Sequence, residues 1–306
     1  MRPAVSATLA QLGHETDELV VLAADGRALA LSFAAVFPER FVDVGIAEAN
    51  LMGVAAGLAR SGRRVVVCGM APFLVRRAAE QLRLDICGPG LDVTILGVGG
   101  GLGYGDLGAS HHAPEDLGSL ASMPGMRVFC PADIHDARWS VRQAVALRGP
   151  AYVRLGARED VVVHQADEEF SSAGTLRGGL SYDVLIIAAG ATVGQALEAA
   201  RSARLQGVDV AVLDLAQVYP FPADSVQEAA RRARRVVTVE EHLATSGIAA
   251  QTALVLAGQW HGDFVPLAID RRPAPSVGRE ELFAYYRIDT AAVLDAVMTG
   301  ETGGRG

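Results

Sequence analysis

Lysine is absent from this chain of 306 residues, and all 27 basic residues are arginine. That excludes a Schiff-base aldolase, an internal pyridoxal-phosphate aldimine and a P-loop lysine, so any carbanion chemistry must take its electron sink from another cofactor. Cysteine is scarce too. Cys68, Cys87 and Cys130 fit no metal or redox spacing and sit among apolar residues, which reads as reduced core thiols. No apolar run approaches the ~18 residues that suggest a membrane span, and Gln11, His14 and Glu15 lie where a secretory signal would be apolar. The expected location is the cytoplasm, with no membrane partner. A formal net charge of −8 argues against a nucleic-acid partner.

Apolar β-rich runs alternate with segments of helical periodicity along nearly the whole chain, the signature of a mostly parallel sheet covered by helices on both faces. The expected class is α/β, with two doubly wound, mostly parallel sheet domains. The pattern places the first domain at 1–157, a polar Gly- and Ser-containing linker at 158–180, and a smaller second domain at 181–306.

Open α/β sheets bind ligands beyond the carboxyl ends of their strands, so polar residues there are candidate site residues. A strand at Phe41–Val44 runs through Gly45 into a helix opened by Glu48. A lone acid there is ordinarily only a charge placed well against the helix macrodipole. Gly and Ala at 53, 55, 56, 57 and 59 suggest instead that the helix packs closely, holding Glu48 where desolvation lets it share a proton with a ligand nitrogen. The run Gly97–Gly108 contains a fortuitous G-x-G-x-x-G, but Ser110, His111, His112 and Pro114 intervene before any helix can start, against the dinucleotide fingerprint. It reads as a loop delivering histidines. His111 and His112 lack the helical spacing of a metal pair, and Ser110 lacks the hydrolase elbow. After the strand ending at Cys68, Met70-Ala71-Pro72-Phe73 offers an aromatic that is either core or a stacking partner for a planar heterocycle. In the second domain, Glu240-Glu241-His242 at a strand end reads equally as a solvated terminus or as a substrate or interface segment.

Three of these stretches resemble the carboxy-terminal half of a transketolase, as found in the separate subunits of split transketolases. They are Arg40–Gly57 (R-F-V-D-V-G-I-A-E-A-N-L-M-G-V-A-A-G), Gly108–Asp116 (G-A-S-H-H-A-P-E-D) and Met123–Asp133 (M-P-G-M-R-V-F-C-P-A-D). The resemblance implies a thiamine-diphosphate pyrimidine-binding domain followed by a transketolase C-terminal domain. It implies that Glu48 hydrogen-bonds N1′ of the cofactor's aminopyrimidine, so that the exocyclic nitrogen can remove the thiazolium C2 proton. Phe73 falls where an aromatic stacks on the pyrimidine, and Met70 replaces another aromatic. Asp25 matches an acid lining the same cleft, His111 a histidine that meets sugar hydroxyls, and Arg2 a phosphate contact.

The resemblance also shows departures. The G-D-G motif and following asparagine that hold the diphosphate and its metal have no counterpart, since the single asparagine, Asn50, belongs to the Glu48 segment. The implied arrangement is a thiamine diphosphate shared with an N-terminal transketolase subunit that carries the diphosphate-binding domain and holds Mg2+ or Ca2+, leaving no metal site in this chain. A homodimer within a heterotetramer is implied. A phosphate-gripping arginine appears as Ala157, with Arg158 as a neighbouring substitute, and a hydroxyl-contacting aspartate appears as Leu107. The expected activity is two-carbon ketol transfer from a ketose to an aldehyde, on a sugar or sugar-like substrate other than ordinary pentose phosphates. The alternatives are a β subunit of a 2-oxo-acid dehydrogenase and, from other classes, a nicotinamide-dependent oxidoreductase or a non-catalytic scaffold subunit.

Overall fold

In a computed structural model, which describes residues 1–157, 161–179 and 181–301, the strands are β1 (Leu19–Ala24), β2 (Phe41–Asp43), β3 (Arg64–Met70), β4 (Val93–Val98), β5 (Arg127–Phe129), β6 (Ala151–Leu155), β7 (Thr175–Arg177), β8 (Val184–Ala188), β9 (Val210–Asp214), β10 (Gln217–Tyr219), β11 (Arg235–Leu243) and β12 (Asp263–Ile269). One sheet has seven strands in the order β10-β5-β6-β4-β3-β1-β2, and the other five in the order β12-β11-β8-β9-β7. Within each sheet all pairs are parallel except β10 with β5 and β7 with β9. The architecture is the α/β class read from the sequence.

Strands β1, β4 and β6 are buried at every residue, as covering a parallel sheet on both faces requires. Their side chains alternate between two cores. Leu19, Val21 and Ala23 pack with Val5, Leu9 and Leu12 of helix Arg2–Glu15, Phe33 of helix Arg27–Val36 and Val141 of helix Ile134–Ala146. Val20, Leu22 and Ala24 pack on the opposite face with Leu51 and Met52 of helix Glu48–Arg60. That second core continues without a break into Leu185 and Ile187 of β8 and Leu213 of β9, so the two sheets share apolar packing. No helix of the described residues is long and apolar enough to cross a membrane.

The segment expected as a linker carries β7, which pairs antiparallel with β9. Arg158, with 159, 160 and 180, lies outside the described residues. Strand β10, from the second half of the chain, completes the edge of the first sheet against β5. Both strands span only three residues, too short to show an apolar alternation. The thiols of Cys68, Cys87 and Cys130 are free and buried, and burial pushes them up to about 12, 11 and 12, which keeps them protonated and unreactive.

A buried clasp ties the halves. Asp133 caps helix Ile134–Ala146 and accepts the backbone N–H groups of Val163 and His164. The His164 ring lies between Asp133, 3.0 Å from Nδ1, and Asp214 at the end of β9, 2.7 Å from Nε2. Burial alone would lower the His164 pKa, but hydrogen bonds to the two carboxylates and their charge outweigh it and push the ring up to about 10. A raised folded-state value means that the stabilisation is complete below the ordinary value of 6.5 and is lost as pH rises through about 10. Urea unfolding of the parent and of His164→Gln should therefore show a stability gap that narrows from neutral pH to about 10; a constant gap would contradict the clasp.

Candidate active site

Four strand ends of the first sheet converge on one edge, because β2, β1, β3 and β4 are parallel neighbours. Beyond β2 the chain turns at Gly45 and starts a helix at Glu48. The Glu48 side chain is only 1% exposed, and its Oε2 accepts a 2.6 Å hydrogen bond from Nη1 of Arg77. Its Oε1 is buried with no hydrogen-bond partner. An ionised carboxylate accepts several donors, and leaving a buried acceptor unmet costs about 1–3 kcal/mol, so this oxygen marks a place for an incoming donor.

The burial has a different origin from the one the sequence suggested. Gly53 and Gly57 face open space, with nothing near the position of an added Cβ, whereas Leu51, Met52, Ala55 and Ala56 form the packed face. The apolar face buries Glu48, and the glycines lie on the exposed side. Asn50, Val42 and Ile46 are exposed as well, the last at 72%.

Beyond β3 the chain forms wide helical turns at Phe73–Arg77 and Leu82–Cys87. Arg77, four residues after Phe73, lays its guanidinium over that ring, 4.7 Å from the centroid, while it binds Glu48. The other side of the group comes from the loop after β4. His111 meets Phe73 edge-on at 5.3 Å and Tyr104 at 6.0 Å, and its Nδ1 is 2.9 Å from the Ser110 hydroxyl. Arg2 donates to the Tyr104 hydroxyl at 3.5 Å and to the Ala157 carbonyl. One chain of contacts thus joins Glu48, Arg77, Phe73, His111, Ser110, Tyr104 and Arg2.

Met70 and Asp25 belong to neighbouring strand ends, and among the described residues no hydrogen bond or ring contact joins either to that chain. Met70 pairs in register with Val98, and Asp25, exposed, is bridged to Gly69. Asp25 adopts a φ of 52°, a left-handed conformation that a short polar side chain tolerates.

The second half holds the histidine loop. Glu240, at the end of β11, accepts the N–H groups of Ile248 and Ala249 and caps helix Ile248–Leu256; burial raises its carboxyl to about 7 against those hydrogen bonds. Glu241 accepts the Leu102 N–H at 2.8 Å and pairs with Arg279 at 2.9 Å. His242 Nε2 accepts the Gly118 N–H at 2.7 Å. The segment that read equally as a solvated strand end or as a substrate or interface segment is a joint between the halves. Gly101 is required there: its φ is +62° and an added Cβ would stand 2.6 Å from the Glu241 carboxyl carbon. A buried Arg154 completes the support, with Nε 3.0 Å from Asp116 Oδ2 and Nη1 donating to the Glu241 carbonyl at 2.9 Å. Tyr152 also donates to Asp116, at 2.8 Å. His112 is part of this scaffold, buried with Nε2 3.0 Å from the Gly105 carbonyl, and His111 alone of the pair reaches the cleft.

The first 159 residues match the family model described as transketolase, pyrimidine binding domain, and residues 176–293 match transketolase, C-terminal domain. The chain belongs to the transketolase family. Within it, the chain is a transferase subunit of the split-transketolase type, the one that carries these two domains, and the reaction is ketol transfer. It is 36% identical over 305 residues to an apulose-4-phosphate transketolase subunit of Phocaeicola vulgatus, a match covering 97% of this chain and 96% of that one. It is 34% identical over 249 residues to the 6-deoxy-6-sulfo-D-fructose transketolase subunit SqwH of Clostridium sp. (strain MSTE9), covering 80% and 77%. Among solved structures it resembles a split gene transketolase described as an inactive beta4 tetramer, with a TM-score of 0.86, 36% identity and coverage of 97% and 96%.

Removing the acid beneath the histidine loop should be costly. Asp116→Ala leaves Arg154 buried and uncompensated, and urea unfolding should show a loss of about 3–5 kcal/mol; a loss under about 1 kcal/mol would contradict the assigned role.

Proposed function

We propose that this transketolase-family subunit supplies the pyrimidine half of a thiamine-diphosphate site whose diphosphate half, with its Mg2+ or Ca2+, is carried by an N-terminal transketolase subunit. The observation that carries the reading is the unpartnered, buried Oε1 of Glu48, whose carboxylate is joined through Arg77 to the half-buried ring of Phe73. Those residues fit an aminopyrimidine, which needs a carboxylate for a ring nitrogen and an aromatic for its face. When bound, the cofactor supplies a nucleophilic carbon and an electron sink for two-carbon transfer from a ketose to an aldehyde.

The chain's own residues orient and exchange protons. Glu48, anchored through Oε2, presents Oε1 to the pyrimidine N1′ and holds or releases a proton there. Phe73 fixes the plane of the heterocycle. His111, polarised through Ser110 Oγ, orients substrate hydroxyls and relays protons at the mouth of the cleft. The exposed apolar residues Val42 and Ile46 and the open glycine side of the Glu48 helix provide the surface that the partner covers. A homodimer within a heterotetramer is the assembly that the resemblance supports.

The substrate is sugar-like and is not an ordinary pentose phosphate. Arg2, the remaining match to a phosphate contact, donates to a backbone carbonyl and a tyrosine. The half-exposed Leu107 stands where the family has a hydroxyl-binding acid. Asp25 and Met70 stay in the proposal as cleft residues at adjacent strand ends, and Arg158 as a substrate contact outside the described residues. Relatives named for apulose-4-phosphate and for 6-deoxy-6-sulfo-D-fructose agree with a substrate other than the ordinary pentose phosphates.

In the reconstituted pair, Glu48→Gln should lower ketol transfer about 10²–10⁴-fold while subunit assembly by gel filtration is unchanged, and activity near the parent's would contradict the proton-sharing role. The same pair should turn over xylulose 5-phosphate with ribose 5-phosphate poorly; full activity there would refute the substrate reading.

A further inference from the structure

We propose that Arg77 is the positioning residue for Glu48: it anchors one carboxylate oxygen so that the other stays free for the ring nitrogen of the cofactor. This rests on the reading of Glu48 given above and extends it to a residue outside the expected set.

The pair is asymmetric in a telling way. Glu48 is 1% exposed and Arg77 is 50% exposed, so the guanidinium keeps much of its hydration and the ion pair contributes little to fold stability. Arg–carboxylate pairs are frequently bidentate, satisfying both oxygens. Here a single N–H, from Nη1, engages Oε2 at 2.6 Å and leaves Oε1 buried without a donor. A structural pair would close both oxygens, whereas this one closes one and holds the other open.

The guanidinium is itself held. It lies 4.7 Å from the Phe73 centroid, and Phe73 meets His111 edge-on at 5.3 Å. Rotation of the Glu48 carboxylate about its terminal bond is broad and soft in the absence of such contacts. Oε2 is thus held by a guanidinium that itself rests on the ring proposed to receive the pyrimidine. The wide turn at Phe73–Arg77 carries both groups on one segment, an irregularity common at functional sites. Arg77 acts through Glu48, and its effect belongs to the proton step rather than to substrate recognition.

The test uses the chain assembled with its partner and two readouts besides turnover. These are thiamine diphosphate affinity by calorimetry and hydrogen–deuterium exchange at the cofactor's C2 followed by NMR. Arg77→Ala should weaken cofactor binding and slow C2 exchange about tenfold or more each, with kcat falling and KM for the ketose unchanged. Arg77→Lys, which keeps a cationic donor for Oε2, should recover most of both losses. The melting temperature of the Arg77→Ala subunit should match the parent's, in keeping with a half-exposed side chain. The proposal is overturned if Arg77→Ala matches the parent in exchange and affinity, if it binds cofactor more tightly, or if Arg77→Lys is as impaired as the alanine variant. Glu48→Gln separates the two readings. Slow exchange in that variant with normal exchange in Arg77→Ala sinks the positioning role alone, whereas normal exchange in Glu48→Gln removes the basis of both.

Discussion

A carboxylate buried in a folded chain with only one of its oxygens satisfied is the constraint around which the rest of this structure is arranged. Glu48 is fixed at the start of a helix whose apolar face is locked into the core, so the carboxylate cannot escape to water. The unmet oxygen is a local cost of about 1–3 kcal/mol that a folded domain sustains where a ligand later removes it. The neighbours act in the same sense. A half-exposed arginine holds the occupied oxygen, an aromatic flanks it, and a histidine closes the group from the next strand end.

The second half of the chain takes part in this geometry, although among the described residues the side chain bonded to Glu48 comes from the first half. Its edge strand β10 completes the first sheet, and one face of β8 and β9 merges with the core beneath the Glu48 helix. Through Glu241 and His242 it grips both ends of the histidine loop, at Leu102 and at Gly118. The glycine-rich span from Gly101 to Gly108 would have many conformations if left to itself. The joint converts that freedom into one placement of His111. The placement of His111 in one domain therefore depends on hydrogen bonds made by the other.

Much of this was legible in the residues. Strands buried on both faces announce themselves as continuous β-branched runs, and the helix opened by Glu48 spans Glu48–Arg60 as its apolar spacing implies. The convergence of Glu48, Phe73 and His111 followed from the placement of functional groups at the carboxyl ends of parallel strands. What escaped has physical reasons. Helix Arg2–Glu15 is hard to read although Val5, Leu9 and Leu12 carry a helical spacing, because polar Ser6 and Thr8 are buried with them and blur the pattern. Arg77 is one of two adjacent arginines on an irregular turn, and sequence offers no way to tell a solvated cation from one reaching a buried acid. Glu241 pairs with Arg279, 38 residues away, and with Leu102, 139 away, contacts that only the topology creates. The glycines at 53 and 57 face no neighbour within the chain, so the close packing expected of them is absent from the fold and that side is left open to the proposed partner.

The most direct test of the account is a calorimetric titration of thiamine diphosphate, with Mg2+, into the chain alone, into its partner subunit alone and into the reconstituted pair. The account predicts tight, saturable binding to the pair and none or far weaker binding to either component. Tight binding by this chain on its own would contradict a site completed across two polypeptides.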